Sequence, residues 1–208
     1  VGSHDGGHVA FEFEVTDHLR PGPNAFELEV DNLRRKEACP QEQFNWQNYG
    51  GVYRPLYLEF RPRQFIRAVR VTPGRDETGW FVDVAVSLDR ADGRAAIEAA
   101  ATSGEARGVL RGEAVDGKWR GTLRLEGEPR VWRLGDGGLS DYRVTMATAD
   151  GVCDAACGTF GLRTVELKGG AVLINGDPVR ILGAAWHEQH PVFGNAVPGW
   201  QVRRDIQL

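Results

Sequence analysis

The sequence predicts a mainly β protein, on three observations. Apolar and polar residues alternate with period two through much of the 208 residues, the mark of half-buried strands. Turn signals rich in Gly, Asp and Asn break the alternation at short intervals. After a short linker at Arg61-Pro62-Arg63, five alternating runs follow one another at the spacing of a β-sandwich of about 100 residues.

Taken in order, Val9, Phe11, Phe13 and Val15 share one face of an expected strand, with Glu12 and Glu14 on the other. Thr16-Asp17 is placed to cap one helical turn. Pro21-Gly22-Pro23-Asn24 reads as a turn, because proline fixes φ while Gly and Asn tolerate unusual geometry. Phe26, Leu28 and Val30 alternate with three acidic residues, and Leu56–Phe60 is a further strand candidate. Beyond the linker, the strand candidates are Ala68–Val71, Val82–Leu88, Ile97–Ala101, Trp119–Leu125 and Tyr142–Met146. Ala95–Ala101 has helical propensity as well; its flanking glycine and short length favour a strand. Near the end, Thr164–Leu167 and Ala171–Ile174 flank Lys168-Gly169-Gly170 as a hairpin, and Asn175-Gly176 is a second tight-turn pair. Val179–Leu182 reads as a short apolar strand. A loop and a helix from Gln201 follow it, which is the opening pattern of an α/β region.

Composition excludes several classes. The net charge of −4, with three lysines beside 22 arginines, lacks the basic footprint of a nucleic-acid binder. No apolar run approaches the ~20 residues of a membrane helix. The three cysteines do not suggest a disulfide framework, and Cys153-x-x-x-Cys157 has no partner ligands nearby. The chain opens on Val1 and stops at Leu208 inside the expected helix, so a piece of a longer protein is expected. The compartment stays undetermined.

Two constellations bear on chemistry. Phe44-Asn45-Trp46-Gln47-Asn48-Tyr49-Gly50-Gly51-Val52-Tyr53-Arg54-Pro55 interleaves aromatics with amides. Rings can cover the apolar face of a pyranose, and amides both donate and accept hydrogen bonds. From composition alone, a loop anchored by its own aromatics is the favoured reading. The second constellation is Ala185-Trp186-His187-Glu188-Gln189-His190-Pro191, just past an expected strand end. Its histidines are three apart and Pro191 resists a helix, so the helical zinc motif is excluded and no metal site is expected. A neutral imidazole at His187 suits a sugar hydroxyl, donating at one nitrogen and accepting at the other.

In chain order, these segments resemble glycoside hydrolase family 2, which includes β-galactosidases, β-glucuronidases and β-mannosidases. Val1–Gly7 leading into Phe11–Thr16 is similar to that family's sugar-binding domain, and Asn45–Arg54 to the signature before its last strand. Phe160–Val165 resembles the end of the middle sandwich. Leu173–Val179, Gly183, His187-Glu188-x-His190-Pro191 and Gly194 resemble the opening of the catalytic barrel, and Arg204-Asp205-Ile206-x-Leu208 its first helix.

The resemblance implies a partial jelly-roll sugar-binding domain over residues 1–61, an immunoglobulin-like β-sandwich over 62–163, and the first strand of a truncated (β/α)₈ barrel over 164–208. It implies retaining hydrolysis of a terminal β-galactoside or β-glucuronide, which uses two carboxylates about 5–5.5 Å apart. In the family both lie on later barrel strands, so no catalytic residue is assigned within this chain, and the chain alone is expected to be inactive. Glu188 is read as a loop-stabilising charge.

His187 matches a histidine that contacts the sugar in relatives. Asn45 stands where many relatives carry an Asp that reaches the active site, keeping the hydrogen-bonding shape without the charge. Trp186 is either a stacking platform or a packing residue. No cofactor is required, and a divalent or sodium ion is allowed in the full-length enzyme. The expected partner is a carbohydrate, with neither nucleic acid nor membrane, and a homo-oligomer is allowed for the full-length protein. Residues 4–16 look more like β-glucuronidases and 187–194 more like β-galactosidases. The rival reading is a non-catalytic carbohydrate-binding or scaffold module.

Overall fold

The strongest alternation in the sequence becomes the middle strand of a sheet. A computed structural model of the chain describes residues 1–37, 47–90, 94–148 and 151–207, with the side chains of Val152 and Cys153 excepted. It divides into two compact units, Glu59–Gly183 and Val1–Leu58 with Ala184–Leu208.

In the first of these, β1 (Ile66–Asp76), β2 (Gly79–Leu88) and β5 (Lys118–Arg124) form one antiparallel sheet in the order β1-β2-β5. A second sheet orders β4 (Ala106–Ala114), β3 (Ala95–Ser103), β6 (Ser140–Thr148) and β7 (Gly151–Phe160) as β4-β3-β6-β7. The inward residues Val82, Val84 and Val86 of β2 meet Ile97, Ala99 and Ala101 of β3 in one core with Leu123, Val144 and Met146. Ala95–Ser103 is thus a strand, because its alternate side chains are needed on the inner face. Two buried serines are satisfied in series: Ser140 donates to Ser103 (2.8 Å), which donates to the Arg130 carbonyl (3.0 Å).

Strands β4 and β7 were not expected, and the packing explains why. On β4 the inward positions are Ala106, Gly108, Leu110, Gly112 and Ala114, and with Leu110 the one large side chain among them they do not register as an apolar stripe. The space is filled from the facing sheet. A Cβ at Gly112 would stand 2.3 Å from Trp119 Nε1.

The terminal hairpins form a third sheet, β10-β9-β8, from β8 (Val165–Lys168), β9 (Ala171–Ile174) and β10 (Asp177–Val179). The Gly169-Gly170 and Asn175-Gly176 pairs take positive φ, as tight hairpins require. Asn175 also receives the Thr164 N–H (3.0 Å) and donates to the Trp132 carbonyl (2.9 Å), tying the hairpin to the sandwich. The expected strand Val179–Leu182 is corrected here. Only Val179 belongs to a strand, antiparallel to Val172, while Ile181 and Leu182 are about three-quarters exposed. Apolar character specified burial, but among the described residues no strand pairs with Ile181 and Leu182 to provide it. Amide exchange should therefore be slower through Val82–Leu88 than through Val179–Leu182; the reverse order would contradict this packing.

In the other unit, the helix α1 (Gly199–Gln207) forms as expected. The expected strands at Val9–Val15 and Phe26–Val30 do not, nor does Leu56–Phe60, which runs across the boundary of the two units: these residues belong to no ladder, and Phe26 and Phe60 are largely exposed. Alternation marks a two-faced segment, whereas a strand also needs a hydrogen-bonded neighbour. The Asn24 turn holds as expected, its side chain bridging the Arg20 N–H and carbonyl (3.1 and 2.9 Å). Thr16–His18 makes one 3₁₀ turn without a side-chain N-cap; Glu14 takes the Thr16 N–H instead (3.2 Å).

One surface pair sets a pH dependence. Arg124 grips Asp76 with both terminal nitrogens (2.8 and 2.7 Å), and Thr78 adds its N–H and hydroxyl. Arg124 foremost, then Thr78, hold the Asp76 carboxyl well below the usual carboxylate range. A carboxyl with a depressed folded value contributes stability above its unfolded value and loses it as pH falls through the folded one. Asp76→Asn is thus expected to flatten the acid limb of stability against pH, read as the denaturant midpoint from neutral to acid pH.

Candidate functional site

The two chemistry-bearing segments meet within the unit formed by Val1–Leu58 and Ala184–Leu208. The first is fixed by side chains reaching far along the sequence. Asn48 and Asn32 exchange amide-to-carbonyl hydrogen bonds, 2.7 and 3.0 Å. The Tyr53 hydroxyl donates to the Gly7 carbonyl at 2.9 Å.

The second segment is folded by its own backbone. His190 and Gly194 exchange N–H···O bonds at 3.0 and 2.8 Å, closing the loop over Pro191–Phe193. The Val192 N–H donates to His190 Nδ1 (3.1 Å), which leaves the neutral ring's proton on Nε2. The His190 and Phe193 rings lie 4.8 Å apart, and Phe193 meets Trp200 of α1 edge-on at 5.9 Å. Gly194 sits at φ +55°, and a Cβ there would come within 3.3 Å of the Tyr49 ring. Both the backbone and the close approach call for glycine.

Arg54 joins the two segments. Its guanidinium donates to the Glu188 carboxylate, to the Asn195 carbonyl (2.8 Å) and to its neighbour's Tyr53 carbonyl (3.2 Å). It also lies over the Tyr53 ring, 5.2 Å from the centroid. Between the segments is an open pocket of about 270 Å³ lined by Tyr49, Tyr53, Phe193 and Asn195 among others. Aromatic walls with amide and backbone polar groups suit a small polar ligand with apolar faces, such as a sugar ring.

The expected binding residues fare differently. His187 and Trp186 lie at the surface on the second segment, His187 accepting the Gln189 N–H at its carbonyl (2.7 Å); neither lines this pocket. Asn45 lies outside the described residues. Glu188 is held by Arg54. In the sequence, Arg54 and Gly194, the neighbour of Asn195, stand out only as parts of motifs. No local pattern signals a contact across the 134 residues that separate Arg54 from Glu188. Among the described residues, no cluster of three or more His, Cys, Asp or Glu is placed to hold a metal ion. Cys157 is an exposed free thiol.

No family model matches the chain. Curated relatives match all of it. A Formosa agariphila protein provisionally named β-glucuronidase is 26% identical over 213 residues, and a β-galactosidase of Alteromonas mediterranea is 29% identical over 225. Over its whole length the chain is similar to β-glucuronidases and β-galactosidases. It spans 26% and 21% of the lengths of these two glycosidases. The fold agrees. A family 2 β-galacturonidase of Eisenbergiella tayi, bound to galacturonate, superposes with a TM-score of 0.68 at 24% identity, covering 86% of this chain and 33% of its own. A β-glucuronidase of Ruminococcus gnavus in complex with D-glucuronic acid gives 0.57 at 22% identity, over 70% of this chain and 24% of its own.

Proposed function

We propose that this chain supplies sugar-facing walls and the entry to the catalytic barrel of a retaining β-glycosidase acting on terminal β-galactosides or β-glucuronides. One observation carries the reading: the Tyr49–Arg54 and Glu188–Ala196 segments, each of which resembles a family 2 motif, fold together around an aromatic-walled pocket joined by Arg54. In this reading residues 1–61 belong to the sugar-binding jelly roll and 62–163 to an immunoglobulin-like sandwich. The Greek-key strand orders β1-β2-β5 and β4-β3-β6-β7 support the latter. Residues 164–208 lead into the barrel.

His187 contacts the sugar, Trp186 offers a ring at its edge, and Asn45 donates or accepts at a hydroxyl. Glu188 is engaged by Arg54 and is neither acid nor nucleophile. Both catalytic carboxylates follow Leu208, so the 208-residue chain hydrolyses nothing by itself. Comparison structures holding galacturonate and glucuronic acid favour a uronic acid over a neutral sugar as the glycone.

A second reading, a non-catalytic carbohydrate-binding module, has one observation in its favour: β10 closes a three-stranded sheet after Asn175-Gly176. Reading the encoding DNA past Leu208 separates the two. Alternating strand and helix patterns with an Asn-Glu pair at a strand end are expected, and a stop codon directly after Leu208 would favour the module.

A further inference from the structure

We infer that the outward face of the β1-β2-β5 sheet is a docking surface for an acidic polysaccharide. Register and burial define this face. Val69, Val71, Val84, Val86 and Trp119 turn into the core, so the residues alternating with them turn outward. Arg70 of β1 and Arg120 of β5 both pair with Ala85 of β2, placing one arginine on each side of a single methyl group. Strands 4.7–4.9 Å apart put their backbones roughly 10 Å from each other. In the next outward row Lys118 pairs with Ser87, extending the cationic edge along the sheet.

Ala85 thus leaves a small floor between Arg70 on the β1 side and Arg120, followed by Lys118, on the β5 side. Arg70, Arg120 and Lys118 are exposed, and none forms an ion pair among the described residues. The facing acid is Asp83, one row further on, where it accepts the Thr122 hydroxyl.

Charge complementarity selects the occupant. Three unpaired cations stand against two engaged carboxylates, Asp83 held by Thr122 and Asp76 held by Arg124, on a chain whose net charge is −4. A guanidinium fork matches a carboxylate in two parallel hydrogen bonds, and a polyuronate presents carboxylates at regular intervals along a hydroxyl-rich chain. Nucleic acid has a much denser charge and would be repelled by the acidic remainder of the molecule. The choice of a polysaccharide rests on the glycosidase reading above. The surface would hold a polymeric substrate while its end is processed elsewhere.

The test is isothermal titration of the 208-residue chain with polygalacturonate and with a neutral galactan of similar length, at low and at physiological salt. Salt-sensitive binding of polygalacturonate over the galactan is expected. Arg70→Ser/Arg120→Ser should weaken it roughly tenfold, the loss of two or three exposed charge contacts. Arg111→Ser, on the opposite sheet, should leave it unchanged. Equal affinity of the double variant and the parent, no binding at all, or equally tight binding of a single-stranded DNA of matched charge would overturn the inference. If the polysaccharide binds here while the longer protein cleaves no glycoside, the docking surface stands and the glycosidase reading falls.

Discussion

Ile97→Ala is expected to lower the unfolding free energy by about 2–5 kcal/mol, the range for truncating a fully buried aliphatic side chain. Ile97 is 1% exposed and lies on the middle of β3, between Gly112 of β4 and Met146 of β6. Its neighbours cannot readily collapse into the gap. The Gly112 side brings no side chain of its own, and the space above that glycine is already occupied by Trp119. The cost should therefore fall toward the upper part of the range, as it does where a cavity persists. Urea unfolding followed by the fluorescence of Trp80 and Trp119, both in the same core, measures it. Val109→Ala, on the exposed side of β4, is the matched control and should stay within about 0.5 kcal/mol. Equal effects of the two variants would show that the sheets do not share one packed core.

Arg54→Ala should separate stability from function. The Arg54 and Glu188 side chains are 51% and 41% exposed, and such a pair contributes about 0.2–1 kcal/mol. Thermal stability should hardly move. Yet Arg54 ties the Glu188 carboxylate and the Asn195 carbonyl to the Tyr53 side of the pocket, and so joins the two segments that form its walls. Misplacing binding groups by an ångström costs roughly 10²-fold in rate, so kcat/KM of the proposed enzyme should fall by about that factor. Arg54→Lys keeps the charge but loses the planar fork and should recover only part of the loss. Glu188→Gln should move kcat/KM in the same direction by a smaller amount, because an amide oxygen still accepts. An unchanged kcat/KM in Arg54→Ala would remove the positioning role.

What could be read from the residues divides along a physical line. Wherever apolar side chains themselves fill the core, as in Val82–Leu88 or Tyr142–Met146, the strand was visible. Where the core volume comes from the opposite sheet, as over Gly108 and Gly112, the strand left no pattern. Pairing was less visible than alternation: Phe11 and Phe13 alternate as cleanly as Val82 and Val84, yet belong to no ladder. The turns were legible because Asn24, Gly169-Gly170 and Asn175-Gly176 carry their geometry locally. The candidate site was legible only through its motifs. Its central contact, Arg54 to Glu188, joins residues distant in sequence and follows from the fold alone.

Hydrolysis of chromogenic β-glucuronide and β-galactoside substrates tests the central claim most directly. The account predicts no turnover by the purified 208-residue chain, and cleavage with retained anomeric configuration by the longer polypeptide that contains it. Turnover by the short chain, or none by the longer one, would contradict it.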